Sequence, residues 1–285
     1  MGDTSAAVMP LVSSVLHPTD FSRASNRAFA HALAIALVWQ TEFTILHIGR
    51  KKESNVKASR FPPVRETLER WRLLQPGSPR SAVFDEFRIN VTKIAVQSRH
   101  PFLALADFLD RHPTNLIVLA TQRRKWLSRW INRSDAEALA RQSNTKTLFV
   151  PPGAKRHFVS LNGNVNLKHI LVPVNRDLDY AAAVEIARRM AEIFGDDQVA
   201  ITLLHVGESH MPMPSLPEGP EWTWHLESRR GNPVAEILSA ADRYATDLIV
   251  MTTTGRDGVI AALRGSTTEQ VLRRAPCPLL AVPSN

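Results

Sequence analysis

Residues 99–151 read RHPFLALADFLDRHPTNLIVLATQRRKWLSRWINRSDAEALARQSNTKTLFVP, and residues 231–283 read GNPVAEILSAADRYATDLIVMTTTGRDGVIAALRGSTTEQVLRRAPCPLLAVP. The two stretches align without a gap at a constant offset of 132. Of their 53 pairs 15 are identical, among them Pro101/Pro233, Asp110/Asp242, Ser134/Ser266 and Glu137/Glu269. Two upstream blocks match in the same order. Val15-Leu-His-Pro-Thr-Asp20 lies on Leu171-Val-Pro-Val-Asn175 with Pro18 over Pro173, and Thr44-Ile-Leu-His-Ile-Gly49 lies on Thr202-Leu-Leu-His-Val-Gly207. The chain therefore contains one unit twice, and that repeat decides the architecture.

The second unit reads most clearly. Ile170–Val174 is a strand-length apolar run. Tyr180–Ile193 has helical periodicity, with Val184, Ala187, Met190 and Ala191 on one face. Val199–Val206 and Trp222–Leu226 are the next strands. A helix opens at Asn232-Pro233, proline being tolerated at a first helical position, and Ile237, Ala241 and Tyr244 share its face. Asp247–Met251 is the fourth strand. Ser266–Arg274 is a helix stopped by Pro276 and Pro278, and Leu279–Val282 is the last strand. Continuous apolar strands separated by helices predict an α/β fold: in each unit a five-stranded parallel sheet flanked by helices. The units are expected at 1–153 and 154–285, with a Gly/Asn/Pro-rich linker over Pro152–Lys168. The first unit carries about 26 extra residues, mostly in Arg50–Glu86, with a basic run at Arg50-Lys-Lys52 and a helix predicted over Pro63–Leu74. The last strands, Thr147–Val150 and Leu279–Val282, are edges that mutual pairing would protect. The chain is thus expected as an intrachain pseudo-dimer or as a homo-oligomer.

Composition narrows the class further. A length of 285 residues suits two domains, and 44% apolar with 22% charged residues is ordinary for a globular protein. A single cysteine, Cys277, excludes an internal disulfide framework and a CxxC metal site. Between two prolines it reads as a small buried apolar residue. The formal charge of +8 favours anionic partners without choosing among them. Met1–Val15 lacks the pattern of a secretory signal, and Ala6 breaks a myristoylation pattern. The longest apolar runs, such as Leu116–Ala120 and Leu248–Met251, are strand-length, so no membrane span and a cytoplasmic location are expected.

The strongest chemical signal is Thr252-x2-Gly255-x9-Gly265-Ser266, between a strand and a helix. Glycines admit close approach of an anion to backbone, and a helix start offers free amides. The pattern lacks the spacing and lysine of a Walker loop. Its first-unit counterpart is Ala120-x2-Arg123-x9-Arg133-Ser134, with arginine at both glycine positions.

These blocks resemble the universal stress protein family in its tandem two-domain form. The residues that carry the resemblance are Pro18-Thr-Asp-Phe-Ser22, Leu203-Leu-His-Val206, Asp247-Leu-Ile-Val-Met251, Gly255-Arg-Asp-Gly258, Gly265-Ser266 and Ala275-Pro-Cys-Pro278. The resemblance implies two Rossmann-like domains of the adenine nucleotide alpha hydrolase type, and ATP with Mg²⁺ as the ligand in those members that bind one. It places a cofactor site in the second unit at Val174, Asn175, Val206, Met251, Thr252, Gly255, Gly265, Ser266 and Thr267. In the first unit it offers only Asp20, at the position of the adenine-contacting aspartate. The second unit departs from the family pattern at Thr252, where the first loop glycine stands, and at Asn175, where the aspartate stands. Asparagine still offers both a donor and an acceptor to a base.

Each of these residues also has a purely structural reading. Ser266-x2-Glu269 is a capping box, and so is Ser134-x2-Glu137 in the unit whose glycines are arginines. Asp20 precedes a helix starting near Ser22 and suits a turn or cap. His47 and His205 sit at strand ends and are expected to pack, not to pair on a metal. Arg123-Arg-Lys-Trp-Leu-Ser-Arg-Trp130 mixes cations with Trp126 and Trp130. That suits nucleic-acid stacking, or an interface with solvated cations, and the interface is the expectation. No nucleophile elbow, HExxH or acidic metal cluster is present in the sequence. The leading expectation is a stress-response binding module with a regulatory adenine-nucleotide site in its second unit. An interaction scaffold using the basic and Trp-rich surface is the alternative, and slow ATP hydrolysis is the most that catalysis would amount to.

Overall fold

The fold comes from a computed structural model, which describes residues 12–49, 57–121, 145–175, 180–195, 198–208, 211, 216–253 and 266–284. The first half contributes β1 (Ser14–Thr19), α1 (Arg23–Trp39), β2 (Glu42–Gly49), α2 (Val64–Arg70), α3 (Ala82–Phe87), β3 (Asn90–Gln97), α4 (Pro101–Arg111), β4 (Leu116–Ala120) and β5 (Lys146–Val150). The second contributes β6 (His169–Val174), α5 (Ala181–Phe194), β7 (Val199–Val206), β8 (Trp222–Arg229), α6 (Pro233–Arg243), β9 (Leu248–Thr253), α7 (Thr267–Leu272) and β10 (Leu279–Pro283). The described strands form one ten-stranded sheet in the order β3-β2-β1-β4-β5-β10-β9-β6-β7-β8.

Within each half neighbouring strands run parallel, in the order 3-2-1-4-5. The halves meet where β5 and β10 pair antiparallel, Phe149 opposite Leu279 and Leu148 opposite Leu280. This is the last-strand pairing expected from the sequence. Because the junction is antiparallel, the carboxyl ends of the two strand sets point to opposite ends of the sheet. Both faces are covered, as the unbroken apolar strands require. One layer is built from α1, α5, α2 and residues 158–167, the other from α4, α6 and α7.

Local chemistry sets the helix ends. Ser22 caps α1 by accepting the Ser25 N–H, and Gln40 closes it in the left-handed region at φ 51°. Asn232 caps α6 by accepting the Ala235 N–H, with Pro233 at the first turn. Ala28 to Ala36 of α1 are all buried, the pattern of a helix covered on every side. Trp39 meets Phe194 of α5 edge-on at 5.7 Å, and His31 meets Phe158 at 4.6 Å.

The stretch Pro152–Lys168, expected as a linker, is a packed strap. Phe158 and Val159 are buried. Arg156 donates to the carbonyls of Thr246 (2.9 Å) and Ala241 (3.0 Å) in the second half. The Val159 N–H donates to His31 Nε2 (3.4 Å), and Trp71 Nε1–H donates to the Leu161 carbonyl (2.9 Å). Gly163 has φ +84°, and a Cβ there would lie 2.5 Å from the Trp71 ring, so both conformation and space demand glycine.

The helix expected over Pro63–Leu74 stops at Arg70. Arg72 turns left-handed at φ 62°, and the N–H groups of Leu73 and Leu74 both return to the Leu68 carbonyl. The strand expected over Trp222–Leu226 continues to Arg229. Cys277 is buried, and desolvation pushes its thiol well above the ordinary range. No described helix is long and apolar enough to cross a membrane.

Candidate functional site

Each half splits its sheet where the strand order reverses. The β1–β4 ladder ends at Leu16–Ile117, and the β6–β9 ladder ends at Leu171–Ile249. Two residues further on stand Pro18 and Pro173, which have no N–H with which to continue the ladder. The strands part there and open a crevice beyond their carboxyl ends, where α/β sheets bind ligands.

In the second half the crevice holds a cavity of about 170 Å³. Its walls are Pro173, Val174 and Asn175 at the end of β6, Leu204 and Val206 of β7, and Met251 and Thr252 of β9. Pro233 and Ile237 of α6 and Thr267 and Thr268 of α7 complete it. Six residues of the proposed cofactor set therefore line one cavity: Val174, Asn175, Val206, Met251, Thr252 and Thr267. Thr252 belongs to the strand and not to the loop that follows it. Ser266 adjoins this wall as the cap of α7, its Oγ accepting the Glu269 N–H at 3.1 Å. Gly255 and Gly265 lie outside the described residues.

Pro173, Leu204, Pro233, Ile237 and Thr268 complete the lining and were not among the residues chosen from sequence. The start of α6 was a usable signal, because the helix that follows β8 begins at the carboxyl end of the sheet. The chemistry of the walls is a mostly apolar slot with threonine hydroxyls and one amide at its rim. That suits a planar heteroaromatic ring. The volume is below the ~300–1,000 Å³ of a complete small-molecule site.

The first half treats the same place differently. Phe21, directly after Asp20, adopts φ 60° and stacks on His47 with ring centroids 4.1 Å apart. Phe61, from the extra segment, meets Phe21 edge-on at 5.5 Å, and the Arg60 guanidinium lies 4.9 Å from the Phe21 ring centre. Asp20 accepts the Ser22 N–H at 2.9 Å, the turn role anticipated for it. His47 Nδ1–H donates to the Thr19 carbonyl (2.8 Å), and His205 Nδ1–H to the Val174 carbonyl (3.3 Å), so both are buried packing groups.

Between β1 and β4 runs a buried polar chain. His17 Nδ1–H donates to the Val118 carbonyl at 3.0 Å, and its Nε2 accepts from Ser25 Oγ at 3.3 Å. Ser25 Oγ is 2.9 Å from Thr19 Oγ1, which accepts the Phe21 N–H at 3.1 Å. Burial lowers the His17 pKa to about 4 and keeps the ring neutral. The repeat places Val172 and Val174 where His17 and Thr19 stand, so the second half has no such side chains to link. Arg123, Arg133 and the segment Arg123–Trp130 lie outside the described residues.

A family model described as the universal stress protein family matches residues 12–151 and 215–283. A universal stress protein of Methanocaldococcus jannaschii is 45% identical over 58 residues, 20% of this chain and 34% of that protein. One from Methanothermobacter thermautotrophicus is 38% identical over 63 residues, 22% of this chain and 42% of that protein. The chain thus spans less than half the length of these curated relatives. The crystal structure of a universal stress protein from Archaeoglobus fulgidus matches with a TM-score of 0.61 at 17% identity, covering 96% of this chain and 97% of that one. At that identity the match speaks for the fold.

Proposed function

The chain belongs to the universal stress protein family, as two matched segments in tandem, and from that premise we propose a cytoplasmic stress-response binding module with one regulatory adenine-nucleotide site, in its second half. The observation that supports this most is the contrast at the two switch points: a cavity of about 170 Å³ in the second half, and the Phe21–His47–Phe61 stack in the first.

In this reading the base enters the slot between Val174, Val206 and Met251, with the Asn175 amide at the rim able to donate and accept. The hydroxyls of Thr252 and Thr267 face the sugar side. Gly255 and Gly265 keep backbone accessible to the phosphates, whose charge Mg²⁺ would share.

A thermal-shift titration with ATP and Mg²⁺ tests the reading, since a ligand of the native state raises stability by mass action. At ATP concentrations about a hundredfold above Kd the stabilisation is about 2.7 kcal/mol, a shift of several degrees. Gly265→Arg, which copies the first half, is expected to abolish it. No shift at millimolar ATP overturns the nucleotide reading in favour of an interaction scaffold. A shift that survives Gly265→Arg places the site elsewhere.

A further inference from the structure

The extra segment of the first half builds a larger cavity of its own. About 580 Å³ lies between the turn at Ala58–Arg60, helices α2 and α3, and the start of β3. Its floor is apolar: Phe61, Val64, Val83 and Ile89 are buried and face it. At its rim Phe84 is 51% exposed, an uncovered aromatic ring beside an apolar floor. The volume falls within the ~300–1,000 Å³ of small-molecule sites.

The charges around this groove are not balanced. Arg65 is committed to its own helix and the adjoining loop. It pairs with Glu66 and Glu69, each at 2.8 Å, and donates to the Ser78 carbonyl at 3.0 Å. Glu66 is held by Arg65 and also acts on Lys93. Arg80 and Lys93 also line the groove, and neither forms a hydrogen bond or a close ion pair with another described residue.

We propose that this groove is a binding site for a small amphipathic anion: an aromatic or branched apolar body covering Phe61, Val83, Phe84 and Ile89, with one carboxylate, sulfonate or phosphate held between Arg80 and Lys93. The apolar floor and the excess of Arg65, Arg80 and Lys93 over Glu66 in the lining together select this class, because a neutral apolar ligand leaves that excess unanswered and a hydrophilic anion leaves the floor wet. Lys93 agrees with this. Burial holds its ammonium below the usual lysine pKa, against the opposing charge of Glu66 and with a smaller push from the Arg80 charge, and an anion at the site offsets both lowering effects. The groove is separate from the nucleotide slot, so the assignment stands independently of it.

Fluorescence titration of the full chain with 1-anilinonaphthalene-8-sulfonate tests the proposal, with N-phenyl-1-naphthylamine as the same ring system lacking the anion. Saturable one-to-one binding of the sulfonate is expected, with the neutral analogue about tenfold weaker or worse. The double variant Arg80→Ala/Lys93→Ala is expected to lose about tenfold in affinity with an unchanged thermal melt, each tenfold being 1.4 kcal/mol. Val83→Trp, which fills the floor, is expected to lose binding of both probes. Equal affinity for the two probes, or an unaffected double variant, overturns the anion site. Displacement of the sulfonate by ATP places the probe in the second-half crevice and overturns the assignment too. Co-sedimentation with phosphatidylglycerol vesicles in place of saturable one-to-one binding assigns the surface to a membrane and overturns it as well.

Discussion

The two crevices are built on the same split, after Leu16 and after Leu171, and end in opposite states. In the second half the parted strands are lined by Pro173, Val174 and Met251, and space remains between them. In the first half His17, Thr19 and Ser25 link the strands through a buried polar chain, and Phe21, His47 and Phe61 stack over their ends. A duplicated fold needs its crevice only once for a given ligand. The copy released from that role is free to convert a binding surface into core. The difference is a handful of side chains on an unchanged backbone plan, which makes it accessible to substitution.

Buried histidines mark the asymmetry most strongly. His17 and His31 have Val172 and Ile186 as repeat counterparts, and His169 has Ser14. Burial lowers the pKa of His17 to about 4, of His31 to about 3 and of His169 to about 4, against about 6.5 in an unfolded chain. A depressed histidine pKa means that the unfolded state takes up protons first. Stability is therefore fully present above pH 6.5 and falls as pH drops toward 4. Each histidine contributes about 1.4 kcal/mol per pH unit across that window. His157 is lowered to about 4 by the same cause, and the four together approach the ~5–15 kcal/mol of a whole domain, so acid unfolding is expected before pH 4. Urea unfolding at several pH values measures the slope. His17→Val with His31→Ile, both copied from the second half, is expected to cut the proton uptake from about four to about two. An unchanged slope would show that the acid response arises elsewhere.

Phe61→Ala probes the stack itself. Phe61 is 4% exposed, and truncating a buried phenylalanine costs about 3–5 kcal/mol. The same change removes part of the floor of the insert groove, so weaker sulfonate binding is expected alongside the lowered melt. A loss of less than about 1 kcal/mol would mean that Phe61 rests on the crevice without sealing it.

The repeat made the sheet legible. The strands of each half, helix starts at Ser22, Asn232 and Ser266, and the β5–β10 junction all follow from local patterns, most of which occur twice and check one another; the strand order does not. The second crevice was legible for the same reason, since Val174, Val206 and Met251 are strand ends and strand ends converge at a switch point. What sequence hid was every contact with no counterpart in the other copy. Phe61 reaches Phe21 across forty positions, from a segment that is not repeated. Phe158, Val159 and Leu167 are scattered among Gly, Asn and Ser without helix or strand periodicity, yet they anchor the strap. Trp71, just past the end of its helix, donates its indole N–H to Leu161, ninety residues away. Local pattern carries no information about such partners.

Ser266 is where the two readings of the open crevice separate most finely. Its Oγ caps α7, and removing such a cap costs about 1 kcal/mol. The first half keeps the equivalent Ser134 beside a loop whose glycines are arginines, which shows that capping alone is reason enough for the serine. Ser266→Ala therefore lowers stability on either view and distinguishes nothing. Ser266→Asp does distinguish them. Aspartate caps as well as serine, and its charge suits a helix start, so stability without ligand is expected to stay within about 0.5 kcal/mol of the parent. The same charge stands where a phosphate would approach. If Ser266 adjoins the phosphates, the ATP-induced shift disappears while the melt without ligand does not move. If the shift persists, the serine is a cap and the phosphates are held by the backbone at Gly255 and Gly265.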